Sequence, residues 1–110
     1  MINISIVRDK SKFIWQFVVK GHAEYDEPGR DIICAAVSVT AYTAVGALEE
    51  LAGLKGCYTE REGYMMCSIP QGIPESKKQI VKIILETTTI GFKQIELAYE
   101  DYVSVLDEEV

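Results

Sequence analysis

The residues best suited to covalent chemistry in this chain are three cysteines, Cys34, Cys57 and Cys67, and a single histidine, His22. A thiol attacks carbonyl carbon as its thiolate, and an imidazole within hydrogen-bond reach can take the proton that makes it one. His22 and Cys34 are twelve residues apart, separated by GHAEYDEPGRD (residues 21–31), a stretch with two glycines, a proline and several acids. That composition reads as a loop, long for a small domain and expected to be mobile. It ends where a helix should begin. If Asp31 is the N-cap, Cys34 is the third helical residue, where unpaired N–H groups and the positive end of the helix dipole favour a thiolate. A cysteine in an apolar helix is otherwise a small buried hydrophobe. Cys57 and Cys67 read as reduced core residues. With no CxxC spacing and only one histidine, a standard zinc framework is not expected.

The neighbours of this pair carry two readings each. Asp31 could orient His22 or simply cap the helix. Ser38, one turn beyond Cys34, could hydrogen-bond at the site or bond back to the helix backbone. Gly21 and Gly29 could be hinges of a loop that closes over a peptide, or plain turn residues.

The elements that must hold these residues follow from periodicity. Ile2, Ile4 and Ile6 alternate with polar or smaller residues, and Phe13, Trp15, Phe17 and Val19 repeat the pattern after RDKSK; together they predict an antiparallel hairpin. From Ile32 to Ala52 the period becomes helical, with Val37, Ala41, Ala44, Val45, Leu48, Leu51 and Ala52 in phase and Gly53 at the C-terminal cap. Its first half lacks charge after Asp31, which predicts a central helix buried over most of its circumference. Cys57–Arg61 and Tyr64–Ile69 suggest a second hairpin; a three-residue turn with Gly63 left-handed would set Cys57 opposite Cys67. Pro74 suits the first turn of a second helix, in which Ile80, Ile83, Ile84, Thr87 and Ile95 form a stripe with Val81, Leu85, Thr88 and Phe92 beside it. The threonines at 87–89 and Gly91 are weak helix formers and mark a place for a break. DYVSVLDEEV closes as a short strand. The order ββαββαβ predicts an α+β fold: a largely antiparallel sheet of about five strands packed by two helices.

One hundred and ten residues make one domain, 1–110, since chains usually divide only past roughly 250 residues. Apolar residues at 48% and charged ones at 25% allow a single core and exclude a disordered tail or a disulfide scaffold. A net charge of −6 lacks the footprint of a phosphate-backbone binder, so direct nucleic-acid binding is disfavoured. No uninterrupted apolar run reaches the roughly 18 residues of a membrane span, the N-terminus alternates like a strand rather than a signal peptide, and the odd cysteine count suits a reducing cytoplasm.

The ordered run Gly21-His22-Ala23, then Gly29-Arg30-Asp31-Ile32, then Cys34-Ala35-Ala36-Val37-Ser38 resembles the signature of the ribosomal-processing cysteine protease family, Prp, and the resemblance extends over the whole chain. It implies an endopeptidase that removes the N-terminal extension of one protein of the bacterial large ribosomal subunit, the twenty-seventh. It also implies a homodimer without cofactor, and a catalytic dyad falling on His22 and Cys34. The competing expectation is a non-catalytic ribosome-assembly or peptide-binding module using the same loop.

Overall fold

The computed structural model describes residues 1–21 and 30–109. Seven elements follow one another as expected: β1 (Ile2–Arg8), β2 (Ile14–Lys20), α1 (Arg30–Ala52), β3 (Tyr58–Arg61), β4 (Tyr64–Ser68), α2 (Glu75–Ala98) and β5 (Val103–Glu109). The strands form one sheet in the order β3-β4-β2-β1-β5, antiparallel except where β5 runs parallel to β1. This is the α+β architecture that the pattern of periods indicated. Residues 22–29, and with them most of the expected mobile loop, lie outside the described residues; its last two positions, 30 and 31, are helical.

Both helices pack on one face of the sheet. Ile2, Ile4 and Ile6 of β1, Phe17 of β2, Met65 and Cys67 of β4 and Val103 of β5 point into that layer and are buried. At its centre the rings of Phe17 and Phe92 meet edge to face, centroids 5.7 Å apart, a favoured aromatic geometry. The β2 alternation departs from expectation. The register slips between Val7 and Arg8, so that Arg8 pairs with Ile14, and Ile14 takes the buried place that alternation had given to Trp15. A bulge adds one residue and reverses the facing beyond it.

The helices bury different faces from those expected. In α1 a single stripe, Ile33, Val37, Ala41, Ala44, Leu48 and Ala52, reaches the core, whereas Ile32, Val39 and Leu51 are each 64% exposed. The helix is therefore a two-sided element rather than one buried on most of its circumference. By length and composition alone, Ile32–Ala52 also suffices to cross a membrane, contrary to the sequence expectation; here its buried stripe serves as a core face of the sheet–helix sandwich. In α2 the core takes Val81, Ile84, Leu85, Thr88, Thr89 and Phe92, and the expected leading residues Ile80 and Ile83 face outward. The helix does not break at its threonines. Thr88 and Thr89 donate their hydroxyls back to the carbonyls of Ile84 and Leu85 at 2.7 and 2.8 Å, which satisfies them inside the core. Gly91 marks close approach instead: a Cβ there would stand 3.3 Å from Thr40 Cγ2 of α1. Pro74 is the residue before the helix, its carbonyl accepting from Lys77 and Lys78 N–H.

At the end of β1 remote from the loop, Arg8 donates to both carboxylate oxygens of Asp107 on β5 and to Glu86 on α2, at 2.6–3.2 Å. Lys93 also reaches Asp107 at 2.9 Å. The Arg8 hydrogen bond, helped by Lys93, holds the Asp107 carboxyl below its ordinary 3.8, and desolvation opposes this only in part. A depressed folded-state value adds stability above the unfolded value, which is lost as pH falls through the folded one. Asp107→Asn is therefore expected to cost about 2 kcal/mol at pH 7. In urea melts the gap from wild type should shrink below about pH 4; an equal gap at pH 7 and pH 3 would refute the linkage.

Candidate active site

The local reason for the site is the meeting of α1 with the β3–β4 hairpin. A cleft of about 520 Å³ runs between them, walled on the helix side by Cys34, Val37, Ser38, Ala41 and Tyr42. Its other side is Glu60–Met65, with Val19, Gly21 and Ile2 at the base. Cys34, Ser38, Ala41 and Tyr42 share this wall because residues three or four apart stack on one helix face. The small Ala41 leaves the space that a larger side chain would fill. Tyr42 donates its hydroxyl to the Glu60 carboxylate, tying the helix to the hairpin across the far end of the cleft.

The hairpin is tighter than expected. Arg61 pairs with Tyr64, so Glu62-Gly63 is a two-residue turn, with Gly63 left-handed at φ +68°. This sets Tyr58, rather than Cys57, opposite Cys67. Gly63 then accepts a 2.9 Å hydrogen bond from Gly21 N–H. Gly21 is itself at φ +100°, and a Cβ there would lie 2.3 Å from the carbonyl oxygen of Met1. Of its two sequence readings, fixed turn geometry fits: the residue before His22 is pinned to the hairpin tip at the cleft.

Helix α1 starts at Arg30, two residues before the expected boundary. Asp31 is consequently the second helical residue and not the cap. Cys34 is the fifth, at the start of the second turn rather than inside the first. The dipole acts mainly within the first turn, so the expected placement of Cys34 inside that turn is not met. Helical side chains lean toward the N-terminus, which carries the Cys34 sulfur back over the first turn. His22 and Gly29 lie outside the described residues. Ser38 is exposed on the cleft wall; Thr40 and Thr43 bond back to the carbonyls of Ala36 and Val39, whereas among the described residues the Ser38 hydroxyl makes no such bond.

None of the three cysteines is in a disulfide. Burial raises the Cys57 thiol above its ordinary value. Cys67 is pushed up to about 12 by burial, with the neighbouring Cys57 adding to it. Both therefore stay protonated at neutral pH, while half-buried Cys34 opens on the cleft.

The profile of the cysteine protease Prp family matches residues 1–104. The chain belongs to the Prp family. The ribosomal processing cysteine protease Prp of Bacillus subtilis (strain 168) is 31% identical over 107 residues, covering 96% of each chain. A crystal structure of a Streptococcus mutans protein superposes with a TM-score of 0.86 at 27% identity, over 100% of this chain and 96% of that one. The Prp of Staphylococcus aureus in complex with a substrate peptide gives 0.79 at 20% identity, over 98% of this chain and all of that one, a likeness of fold. The Prp assignment makes the chain a cysteine protease of the ribosomal-processing family. Sequence reasoning singled out Cys34 and Ser38, which line the cleft, but none of its opposite wall. Tyr42 and Glu60 gave no signal beyond helix and strand propensity, because only the fold brings them together.

Proposed function

We propose that this Prp protein is an endopeptidase that removes the N-terminal extension of the twenty-seventh protein of the large ribosomal subunit, through a Cys34–His22 dyad. The observation that carries the reading is the position of Cys34 alone among the cysteines: on the wall of a cleft of about 520 Å³, with the other two held as thiols by burial. His22 takes the Cys34 proton, and the sulfur attacks the scissile carbonyl. N–H groups of the first turn of α1, which lack intrahelical acceptors, face the developing oxyanion. The imidazolium protonates the leaving amine; His22 then deprotonates water, which releases the thioester and restores the thiol. In this reading Asp31 orients His22, and Ser38 offers a hydroxyl beside the sulfur.

Cytoplasmic location suits a substrate of this kind and three unoxidised thiols. A homodimer is supported by the outward apolar residues of both helices, Ile32 and Val39 on α1 with Ile83, Ile90 and Leu97 on α2, each exposed in the single chain. The test is incubation with the extended ribosomal protein and mass spectrometry of the products, alongside iodoacetamide labelling. One discrete cut near the N-terminus and one fast-reacting cysteine, Cys34, are expected. An uncut substrate with no fast thiol would point to a non-catalytic assembly module instead.

A further inference from the structure

The sheet has two edges, and they are built differently. On β5 the outward N–H groups of the first half of the strand are occupied: Val103 donates to the Tyr99 carbonyl at 3.1 Å, and Val105 donates to the Glu96 carboxylate, which reaches over from α2, at 2.6 Å. Such covering is how sheets avoid pairing with other chains. On β3 the phase is set by Ser68 N–H donating to the Cys57 carbonyl at 2.8 Å. The continuous register from Tyr58↔Cys67 to Arg61↔Tyr64 then turns Thr59 and Arg61 toward β4, and the backbone groups of Tyr58 and Glu60 away from it. All four β3 residues are exposed. Among the described residues nothing accepts from the N–H of Tyr58 or Glu60. The strand has no proline or bulge, and the Glu60 side chain is drawn across to Tyr42 rather than over its own edge. This open edge is also a wall of the cleft, and following β3 to its turn leads to Glu62 and Gly63, which share the cleft with Cys34.

We propose that the substrate peptide binds as a sixth strand along β3, its backbone pairing with the outward N–H and C=O groups of Tyr58 and Glu60. The adjoining peptide segment passes the Glu62–Gly63 turn and presents the scissile bond at Cys34. The proposal rests on the protease reading given above and adds how the substrate is held. Strand addition draws affinity from main-chain bonds and specificity from alternate side chains. One set of peptide side chains falls on the helix side, beside Tyr42 and Glu60; the other falls on the outer face, beside Thr59 and Arg61. The paired residues must have their own N–H groups, which excludes proline at every second position.

The experiment measures binding of a synthetic peptide spanning the ribosomal-protein extension to the Cys34→Ala protein by calorimetry, so that turnover is not required. Backbone N-methylation is moved one residue at a time along the peptide. Losses alternating with period two, about three- to tenfold per lost hydrogen bond, are expected on one side of the scissile bond. In the protein, Tyr58→Pro deletes an outward donor without touching the β4 ladder, and is expected to weaken Kd by a similar factor relative to Tyr58→Ala, which keeps that donor. Equal affinity of these two variants, both folded, together with a flat N-methyl series, would overturn the proposal. So would a changed oligomeric mass of Tyr58→Pro with unchanged affinity, since the edge would then hold a second copy. If Tyr58→Pro does not fold, the N-methyl series on the unaltered edge decides alone. Failure of the protease reading shows separately, as peptide bound in this register but never cut by the wild-type protein.

Discussion

Cys34→Ala is expected to lower kcat on the order of 10⁶-fold, the scale seen when a covalent nucleophile is deleted. The change is mild for the scaffold. Alanine is the best helix former, and Cys34 is only half-buried at the margin of the core, so the stability cost should be about 1 kcal/mol. Peptide binding should survive, because the cleft walls from Val37 to Tyr42 and from Glu60 to Met65 are unaltered. Single-turnover assays with mass spectrometry, paired with calorimetry on the same variant, separate chemistry from binding. Processing at a rate near wild type would end the cysteine-protease reading for this residue.

His22→Ala should reduce kcat on the order of 10³- to 10⁵-fold, since the chain has no second imidazole to act as base toward the sulfur and acid toward the leaving amine. A purely structural role would not change the intrinsic reactivity of the thiol. The deciding readout is therefore the iodoacetamide rate at Cys34, which should fall at neutral pH and recover under alkaline conditions, where solvent removes the proton. An alkylation rate equal to wild type across that range would show that His22 does not activate Cys34. The position of Cys34 beyond the first turn of α1 sharpens this test, because the helix end can replace little of what the imidazole supplies.

The elements were legible where one period held over several residues. Ile2, Ile4 and Ile6 gave β1, and the uncharged run after Asp31 gave α1. Facing was harder to read. In α1 nearly every position is apolar or small, so periodicity could not show that Ile33, Val37 and Ala41 go inward while Ile32 and Val39 go outward. In α2 two apolar stripes compete, and the one carrying Val81, Leu85 and Phe92 won because Phe92 meets Phe17, a contact between residues remote in sequence. Local propensity misjudged Thr88, Thr89 and Gly91, whose back-bonding and close packing exist only against α1 and the sheet. The β2 bulge depends on the partner strand and has no local mark. In the site, the place of Cys34 near the start of α1 was readable from residue type and spacing, whereas its proposed role as nucleophile came from the resemblance of the Gly21–Ser38 run to the Prp signature. The cleft was not, because Cys34 and Glu60 share it only through a hairpin register that changes with one turn residue.

The parallel pairing of Ile2 with Val103, continued through Arg8 with Glu109, sets when this enzyme can exist at all. Contacts of such sequence separation raise contact order, which slows folding and leaves partly made chains with unpaired edges. While the ribosome is still synthesising it, β1 has β2 on one side and an empty position on the other until translation has passed Val103. The cleft segments are all made earlier, up to Met65, yet Ile2, which lines the cleft, pairs with Val103 and shares its core with the α2 residues that follow. A nascent chain should thus carry every chemical group of the site without a rigid floor to hold them. Peptidase activity should emerge in one late cooperative step, after the whole chain has been made.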